Sequence, residues 1–542
     1  MTSNFHLVFF SVILSNIGAN PSPNIVLIVA DDLGWDDVSF HGSDQILTPN
    51  IDLLAYTGVA LRRYYSHCVC TPSRSALLTG KYGHTLGMQG YPLTYGEDRG
   101  LPLTEKILPQ YLKERGYATH LVGKWHVGHS RAEYLPTMRG FDTHFGHRGG
   151  YLDYYEYITQ EEWTSGRVAG LDLYRNLTPD WESEGYITDL YNNEAKSIIS
   201  EHDTSKPLFL MLAHNAPHSG NDNALLQAPS DEVRAQRHID LPERRIYAAM
   251  VKKLDDSVGD VINSLSEKGM LQNTIIVFIS DNGGMTSGNS LNYASNWPLR
   301  GIKMSPFEGG IKVTGLLWSP KLNDSHHLWN GYMHVSDWVP TLLAAAGIDS
   351  PSNIDGHNLW ESINKNSESE RNEIIEIDDY TGFAAIIQGD YKLVTGNIIK
   401  GYSDYQGEDL RGIIGNGLSY EVALKKSKTY DALRSIGKRF NMDAIHLRNE
   451  IRLKCLYMRR NSELCHPEND KVCLYNIKED PCESNDISVD NADVVTRLQS
   501  RLASEIKRTV SRVVPLYRDP RSRPSLHNYT WTTWADVVGI KA

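Results

Sequence analysis

The chain has 542 residues, 40% hydrophobic and 22% charged, enough for a large core and the balance of a soluble globular protein. Its 54 basic and 66 acidic residues give a formal net charge of −12, which argues against nucleic acid as a partner and requires any anion site to be a local positive focus. After the N-terminal residues no stretch is long and apolar enough to span a bilayer.

Residues 7–14 form an apolar run too short to cross a membrane, and it ends in Ser15-Asn16-Ile17-Gly18-Ala19, whose small residues suit cleavage. Residues 1–19 are therefore expected to be a secretory signal peptide. On that route Asn176-Leu177-Thr178, Asn323-Asp324-Ser325 and Asn528-Tyr529-Thr530 become N-glycosylation acceptors. Four of the six cysteines, Cys455, Cys465, Cys473 and Cys482, cluster near the C-terminus, which predicts one or two disulfides in an oxidising compartment.

Residues 24–30, Asn-Ile-Val-Leu-Ile-Val-Ala, are almost continuously apolar and β-branched, as a buried parallel strand should be. Residues 104–115 read as a helix feeding a strand at 118–122, and residues 207–213 as another buried strand. A long helix is expected within 241–268, where Ala248, Val251, Leu254, Val258, Val261 and Leu265 recur every three to four residues. Residues 274–279 form a further strand. This alternation predicts an α/β domain with a mostly parallel central sheet flanked by helices, over residues 20–370. Polar residues 364–371 read as a linker. Beyond it, two apolar runs flank Gly389-Asp390, a hairpin signal, so residues 371–542 are expected to form a smaller C-terminal α+β domain.

The polar clusters follow the ends of predicted strands, the edge where open α/β sheets bind ligands. The first strand runs into Asp31-Asp32, and the 274–279 strand into Asp281-Asn282. Such oxygen donors suit a hard divalent cation, although either pair alone also fits a turn or helix cap. Cys70-Thr71-Pro72-Ser73-Arg74 reads as a helix start, with Thr71 as N-cap, Pro72 in the first position and Gly80 as the stop. A thiol beside that N-terminus should be acidic and reactive; the competing reading is a buried cysteine beside a cap. Lys124 and His126 follow the 118–122 strand, and His214 and His218 follow the 207–213 strand.

The run from Cys70 to Gly80, CTPSRSALLTG, resembles the first signature of type I sulfatases. Residues 116–126, Gly-Tyr-Ala-Thr-His-Leu-Val-Gly-Lys-Trp-His, resemble the second. The likeness covers nearly the whole chain and is closest to the arylsulfatase B group, with 397–463 departing from the pattern. It implies an alkaline-phosphatase-like fold with an antiparallel sheet in the C-terminal domain. It also implies that a formylglycine-generating enzyme converts Cys70 to formylglycine, whose hydrated aldehyde is the nucleophile. The resemblance assigns Asp31, Asp32, Asp281, Asn282 and the modified Cys70 to Ca²⁺. It assigns sulfate contacts to Lys124, His218 and Lys303, with Arg74 and His126 orienting and deprotonating residue 70 and His218 as the proton donor. Arg300, near Lys303, reads instead as part of a solvated loop. The expected reaction is hydrolysis of an O-sulfate ester in the secretory or lysosomal space. Similarity to arylsulfatase B suggests N-acetylgalactosamine-4-sulfate of glycosaminoglycans, with aryl sulfates and sulfated glucosides as alternatives. A phosphohydrolase of the same superfamily and a non-catalytic sulfoglycan-binding protein are the competing classes. Tyr151, Tyr154, Tyr155 and Tyr157 could stack on a substrate ring, although ordinary loop packing explains them as well.

Overall fold

The computed structural model describes residues 22–288, 290–323, 325–409, 419–455, 463–469, 471–512 and 518–536. The expected signal peptide lies outside them, as does Asp324 of the second sequon. In chain order the first strands are β1 (Asn24–Ala30), β2 (Val59–Tyr65), β3 (Ala118–Gly123), β4 (Thr143–Gly146), β5 (Ile158–Trp163) and β6 (Gly166–Leu171). There follow β7 (Tyr174–Arg175), β8 (Thr178–Pro179), β9 (Leu208–Ala213), β10 (Thr274–Ser280), β11 (Gly315–Trp318) and β12 (His327–His334). All except the β5–β6 hairpin join one ten-stranded sheet, ordered β12-β2-β11-β10-β1-β9-β3-β4-β7-β8.

The strands β10, β1, β9, β3 and β4 run parallel to one another. Their register brings the C-terminal ends level: Ala30 pairs with Ser280, Val29 with Ala213 and Gly123 with Ala213. Both faces of β1 are covered, because Val26 and Ile28 enter one apolar core while Ile25, Leu27 and Val29 enter the other. This explains the unbroken apolar sequence. The helix Pro242–Glu267 packs on the first face through Val251, Leu254, Val258, Val261 and Leu265, as its spacing predicts. The helix expected over 104–115 is shorter, Leu108–Lys113. Pro109 sits in its first turn, and the Gln110 side chain accepts the Ile107 N–H at 3.0 Å, which fixes the start there.

A second sheet contains β13 (Glu373–Asp378), β14 (Phe383–Gln388), β15 (Tyr391–Gly396) and β16 (Val472–Asn476), all antiparallel. The hairpin signal at Gly389-Asp390 is the β14–β15 turn. One face of this sheet packs under the helix Ala492–Ile506 through Leu498 and Leu502. The other meets Cys68, Val69, Cys70, Phe307 and Ile311, so the second sheet forms the back wall of the Cys70 segment. The four C-terminal cysteines pair as Cys455–Cys482 and Cys465–Cys473. Residues 420–451, expected with the C-terminal unit, pack on the first core, where Leu424, Leu433, Leu447 and Ile451 are buried.

The segment 364–371 is no free linker. Arg371 is 3% exposed and forks onto both carboxylate oxygens of Asp337 at 2.6 and 2.7 Å. It also donates to the Tyr82 hydroxyl and the Asp355 carbonyl. Arg371→Met should cost about 3–5 kcal/mol because it strands a buried Asp337 carboxylate, and a lowered urea midpoint would register it. Among the described residues no helix is long and apolar enough to cross a membrane.

Candidate active site

The level strand ends bring the sequence-predicted residues together. The residues following β1, β3, β9 and β10 are Asp31, Lys124, His214 and Asp281, and β2 leads through Ser66 to the helix Cys70–Thr79. Asp31, Asp32, Cys70, Arg74, Lys124, His126, His218, Asp281, Asn282 and Lys303 are all buried, Lys303 the most exposed at 6%. Asp32 and His126 both adopt left-handed backbone, with φ of 60° and 58°. That reversal directly after a strand is tolerated best by glycine, Asn, Asp and His.

Three carboxylates interlock with three cations. Lys124 Nζ lies 2.6 Å from Asp31 Oδ2, Arg74 Nη2 2.8 Å from Asp281 Oδ2, and Lys303 Nζ 2.7 Å from Asp32 Oδ1. Asn282 Nδ2 donates to Asp32 Oδ1 at 2.6 Å. Two buried oxygens of this cluster, Asp31 Oδ1 and Asn282 Oδ1, have no hydrogen-bond partner. Asp31, Asp32 and His218 also bring potential ligand atoms within 4.8 Å of one another. Unsatisfied buried oxygens among converging carboxylates are what a hard divalent cation needs, so the residues present fit such an ion.

Burial disfavours the Asp32 carboxylate, but Lys303 and the hydrogen bonds from Lys303 and Asn282 hold its pKa down at about 2. Asp281 moves the other way, because burial and the neighbouring Asp31 outweigh Arg74 and Lys124. Lys303 is held above its ordinary value, with Asp32 overriding burial.

The helix Cys70–Thr79 ends at Gly80, as expected, in left-handed backbone with φ of 75°. Its N-cap is Val69, without a side-chain bond, and not Thr71. The Thr71 hydroxyl instead donates to the His126 carbonyl at 3.2 Å and accepts the Leu93 N–H at 3.0 Å, tying residue 70 to the second signature. Nor is the thiol acidic. Burial drives the Cys70 pKa up, assisted by Asp31 and Asp281, and Lys124 and Lys303 do not reverse it. Loss of water is the dominant effect and overrides the acidity expected at the helix end.

The two histidines have assigned tautomers. His218 Nδ1 faces the Ser219 carbonyl at 2.7 Å and must donate to it, leaving Nε2 to accept from Lys303 Nζ at 3.2 Å. His126 Nε2 faces the Leu93 carbonyl at 2.9 Å, leaving Nδ1 buried without a partner. Burial and the charges of Lys303 and Lys124 push the His218 pKa down to about 3 against the pull of Asp32. Lys303→Met deletes the nearest cation and should raise the His218 proton-binding midpoint. An imidazole NMR titration showing no upward shift would contradict this electrostatic account.

His214, the other candidate after β9, turns away and meets Ser257 Oγ at 3.1 Å. Tyr154 and Tyr157 are buried, and the Tyr154 hydroxyl donates to the His218 carbonyl at 2.7 Å. Tyr151 stacks on the His218 ring with centroids 6.0 Å apart, and Tyr155 is exposed. Sequence reasoning missed two neighbours. Asn292 Nδ2 holds the Asp32 carbonyl at 2.9 Å. His147 shares a backbone hydrogen bond with Trp125 and carries a buried, unpartnered Nε2. Neither sits in a recognisable motif. Arg300 is not in a solvated loop: it is fully buried. The three sequon asparagines are exposed.

One family model, Sulfatase, matches residues 23–348, which span every residue of this cluster. The chain belongs to the sulfatase family. It is a sulfuric ester hydrolase. The sulfatase is 36% identical to Arylsulfatase J of Mus musculus over 94% of this chain and 80% of that protein. It is 31% identical to N-acetylgalactosamine-6-sulfatase of Homo sapiens over 63% of this chain and 66% of that protein. The crystal structure of Ps i-CgsB in complex with k-i-k-neocarrahexaose superposes with a TM-score of 0.71 at 27% identity, covering 94% of this sulfatase and 98% of that chain.

Proposed function

We propose that the protein hydrolyses O-sulfate esters of carbohydrates, with formylglycine at position 70 and a divalent cation, Ca²⁺, held by Asp31, Asp32, Asp281, Asn282 and the modified residue 70. The observation that carries this reading is the buried set of carboxylates and cations around residue 70, with unsatisfied oxygens at Asp31 and Asn282. Burial raises the pKa of the Cys70 thiol, which disfavours the thiolate that a cysteine nucleophile needs. When present, formylglycine supplies the attacking hydroxyl of its hydrate, and the cation supplies electrophilic charge.

The chain's own side chains do the rest. Lys124, Lys303 and Arg74 supply preorganised N–H donors for sulfate oxygens in a buried site, with a net positive surplus only once the cation is bound. As the sulfur–oxygen bond to the leaving alcohol breaks, His218 Nε2 gives that oxygen a proton. His218 is neutral without substrate; an anionic ester beside Lys303 offsets the cations and raises its proton affinity. His126 Nδ1, free of other bonds, accepts the proton released when sulfate departs. Arg74 and Lys124 orient residue 70.

A relative named N-acetylgalactosamine-6-sulfatase and an oligosaccharide complex support a sulfated sugar. The relative named Arylsulfatase J keeps aryl sulfates as the alternative, and N-acetylgalactosamine-4-sulfate rests on the arylsulfatase B resemblance of the sequence. The signal-like N-terminus and exposed sequons support passage through the secretory route, where the formylglycine-generating enzyme would act, to a secreted or lysosomal destination. Mass spectrometry of the residue 70 peptide from protein secreted by a eukaryotic host tests the modification. A panel of 4-sulfated and 6-sulfated sugars and aryl sulfates then tests the substrate. An intact thiol in active enzyme would overturn the formylglycine reading.

A further inference from the structure

Arg300 lies three residues before Lys303 and has no exposed surface. Its guanidinium donates to the Ser403 carbonyl at 2.5 Å, the Cys465 carbonyl at 2.6 Å, the Tyr475 hydroxyl at 2.7 Å and the Glu483 carbonyl at 3.2 Å. It also lies 3.9 Å from the centre of the Phe307 ring. All four acceptors are neutral oxygens on the C-terminal part of the chain. Among the described residues no carboxylate pairs with it, and a buried cation so placed is costly compared with an apolar side chain. What it achieves here is geometric: a planar fork of five N–H donors fixes several backbone segments at once.

Those segments are themselves anchored. Cys465 is bonded to Cys473 of β16, and Tyr475 lies two residues further along that strand. On the other side, the Arg300 carbonyl accepts the Gly309 N–H at 2.6 Å and closes the loop containing Lys303. Within that loop Lys303 N–H reaches the Gly284 carbonyl at 3.2 Å, and Met304 N–H reaches the Cys68 carbonyl at 2.8 Å. The loop therefore joins β16, the segment after Asp281-Asn282 and the connection from β2 to residue 70.

We propose that Arg300 is a positioning residue of the sulfatase: it locks the Lys303 loop onto the second sheet and its Cys465–Cys473 bridge, setting the Lys303 ammonium beside Asp32 and His218. This rests on the reading above that Lys303 meets the sulfate. Arg300 touches no substrate and acts through Lys303.

The test is a double-mutant cycle on the full-length, modified enzyme, using an aryl sulfate as substrate and inorganic sulfate as inhibitor. Arg300→Lys keeps the charge but loses the fork. It should lower kcat/KM about 10- to 100-fold, the scale of a small misplacement of a binding group, and weaken sulfate inhibition in parallel. In a Lys303→Ala background the same change should alter both quantities less than about twofold. A full effect in that background, or no effect of Arg300→Lys in the wild type, overturns the proposal. If Lys303→Ala alone leaves kcat/KM and sulfate inhibition intact, the reading of Lys303 as a sulfate contact fails instead, and the proposal with it. Should Arg300→Lys not fold, Tyr475→Phe, which deletes one acceptor and leaves the cation, is taken through the same cycle with the same criteria.

Discussion

Exchange of Cys70 for serine is expected to stop turnover, lowering steady-state kcat roughly 10⁵- to 10⁶-fold, the scale seen when a hydrolase loses its nucleophile. The substitution is small and the helix Cys70–Thr79 should accept it. Three hydroxyls already bond locally there: Ser73 Oγ, Ser75 Oγ and Thr79 Oγ1 donate to carbonyls four residues back. Loss of activity would therefore not reflect unfolding, and an unchanged melting temperature would confirm that. Serine carries one hydroxyl where a hydrated aldehyde carries two. Once the serine oxygen has bonded to sulfur and the alcohol has left, no second hydroxyl remains to expel sulfate. The variant should be inert or gain the mass of one SO₃ group per chain. Unmodified Cys70 should also be inactive, because a thiol likewise offers no second hydroxyl to expel sulfate. Normal steady-state turnover by Cys70→Ser would refute the scheme.

Much of this site is legible in the sequence because its residues follow strands whose identity is local. The Asn24–Ala30 and Thr274–Ser280 strands are apolar throughout because both faces are covered. Parallel pairing in register then carries Asp31-Asp32 and Asp281-Asn282 to one sheet edge. Lys124, His126 and His218 follow the same rule. What failed was decided by distant partners. Thr71 has the residue type of an N-cap, but its hydroxyl is engaged by Leu93 and His126. Arg300 looks like a loop cation, yet its acceptors lie 103 to 183 residues away. Arg371 sits in a polar stretch but answers to Asp337. Residues 420–451 lie within the expected C-terminal unit by position alone, yet they pack on the first core, because an apolar stripe specifies burial and not its partner.

Removal of divalent cations is expected to have the second largest effect, after loss of residue 70. Chelation followed by dialysis should reduce hydrolysis roughly 10³-fold or more, the scale of losing a principal electrostatic stabiliser, and Ca²⁺ should restore it. The reason is a balance of charge. Asp31, Asp32 and Asp281 are matched by Lys124, Lys303 and Arg74, so side chains alone leave little positive surplus for an anionic ester. A divalent cation at the Asp31 and Asn282 oxygens would supply that surplus and satisfy two buried acceptors. Binding of the ion should also register without turnover. An ion bound only by the folded chain stabilises it by about 2.7 kcal/mol at a free concentration of about 100 Kd, so Ca²⁺ should raise the melting temperature of stripped protein. Asp31→Asn should weaken that gain by more than the roughly 10- to 100-fold in affinity typical of outer-shell partners. Unchanged melting and unchanged activity after chelation would remove the cation from the proposal and leave Asp31 as a structural partner of Lys124.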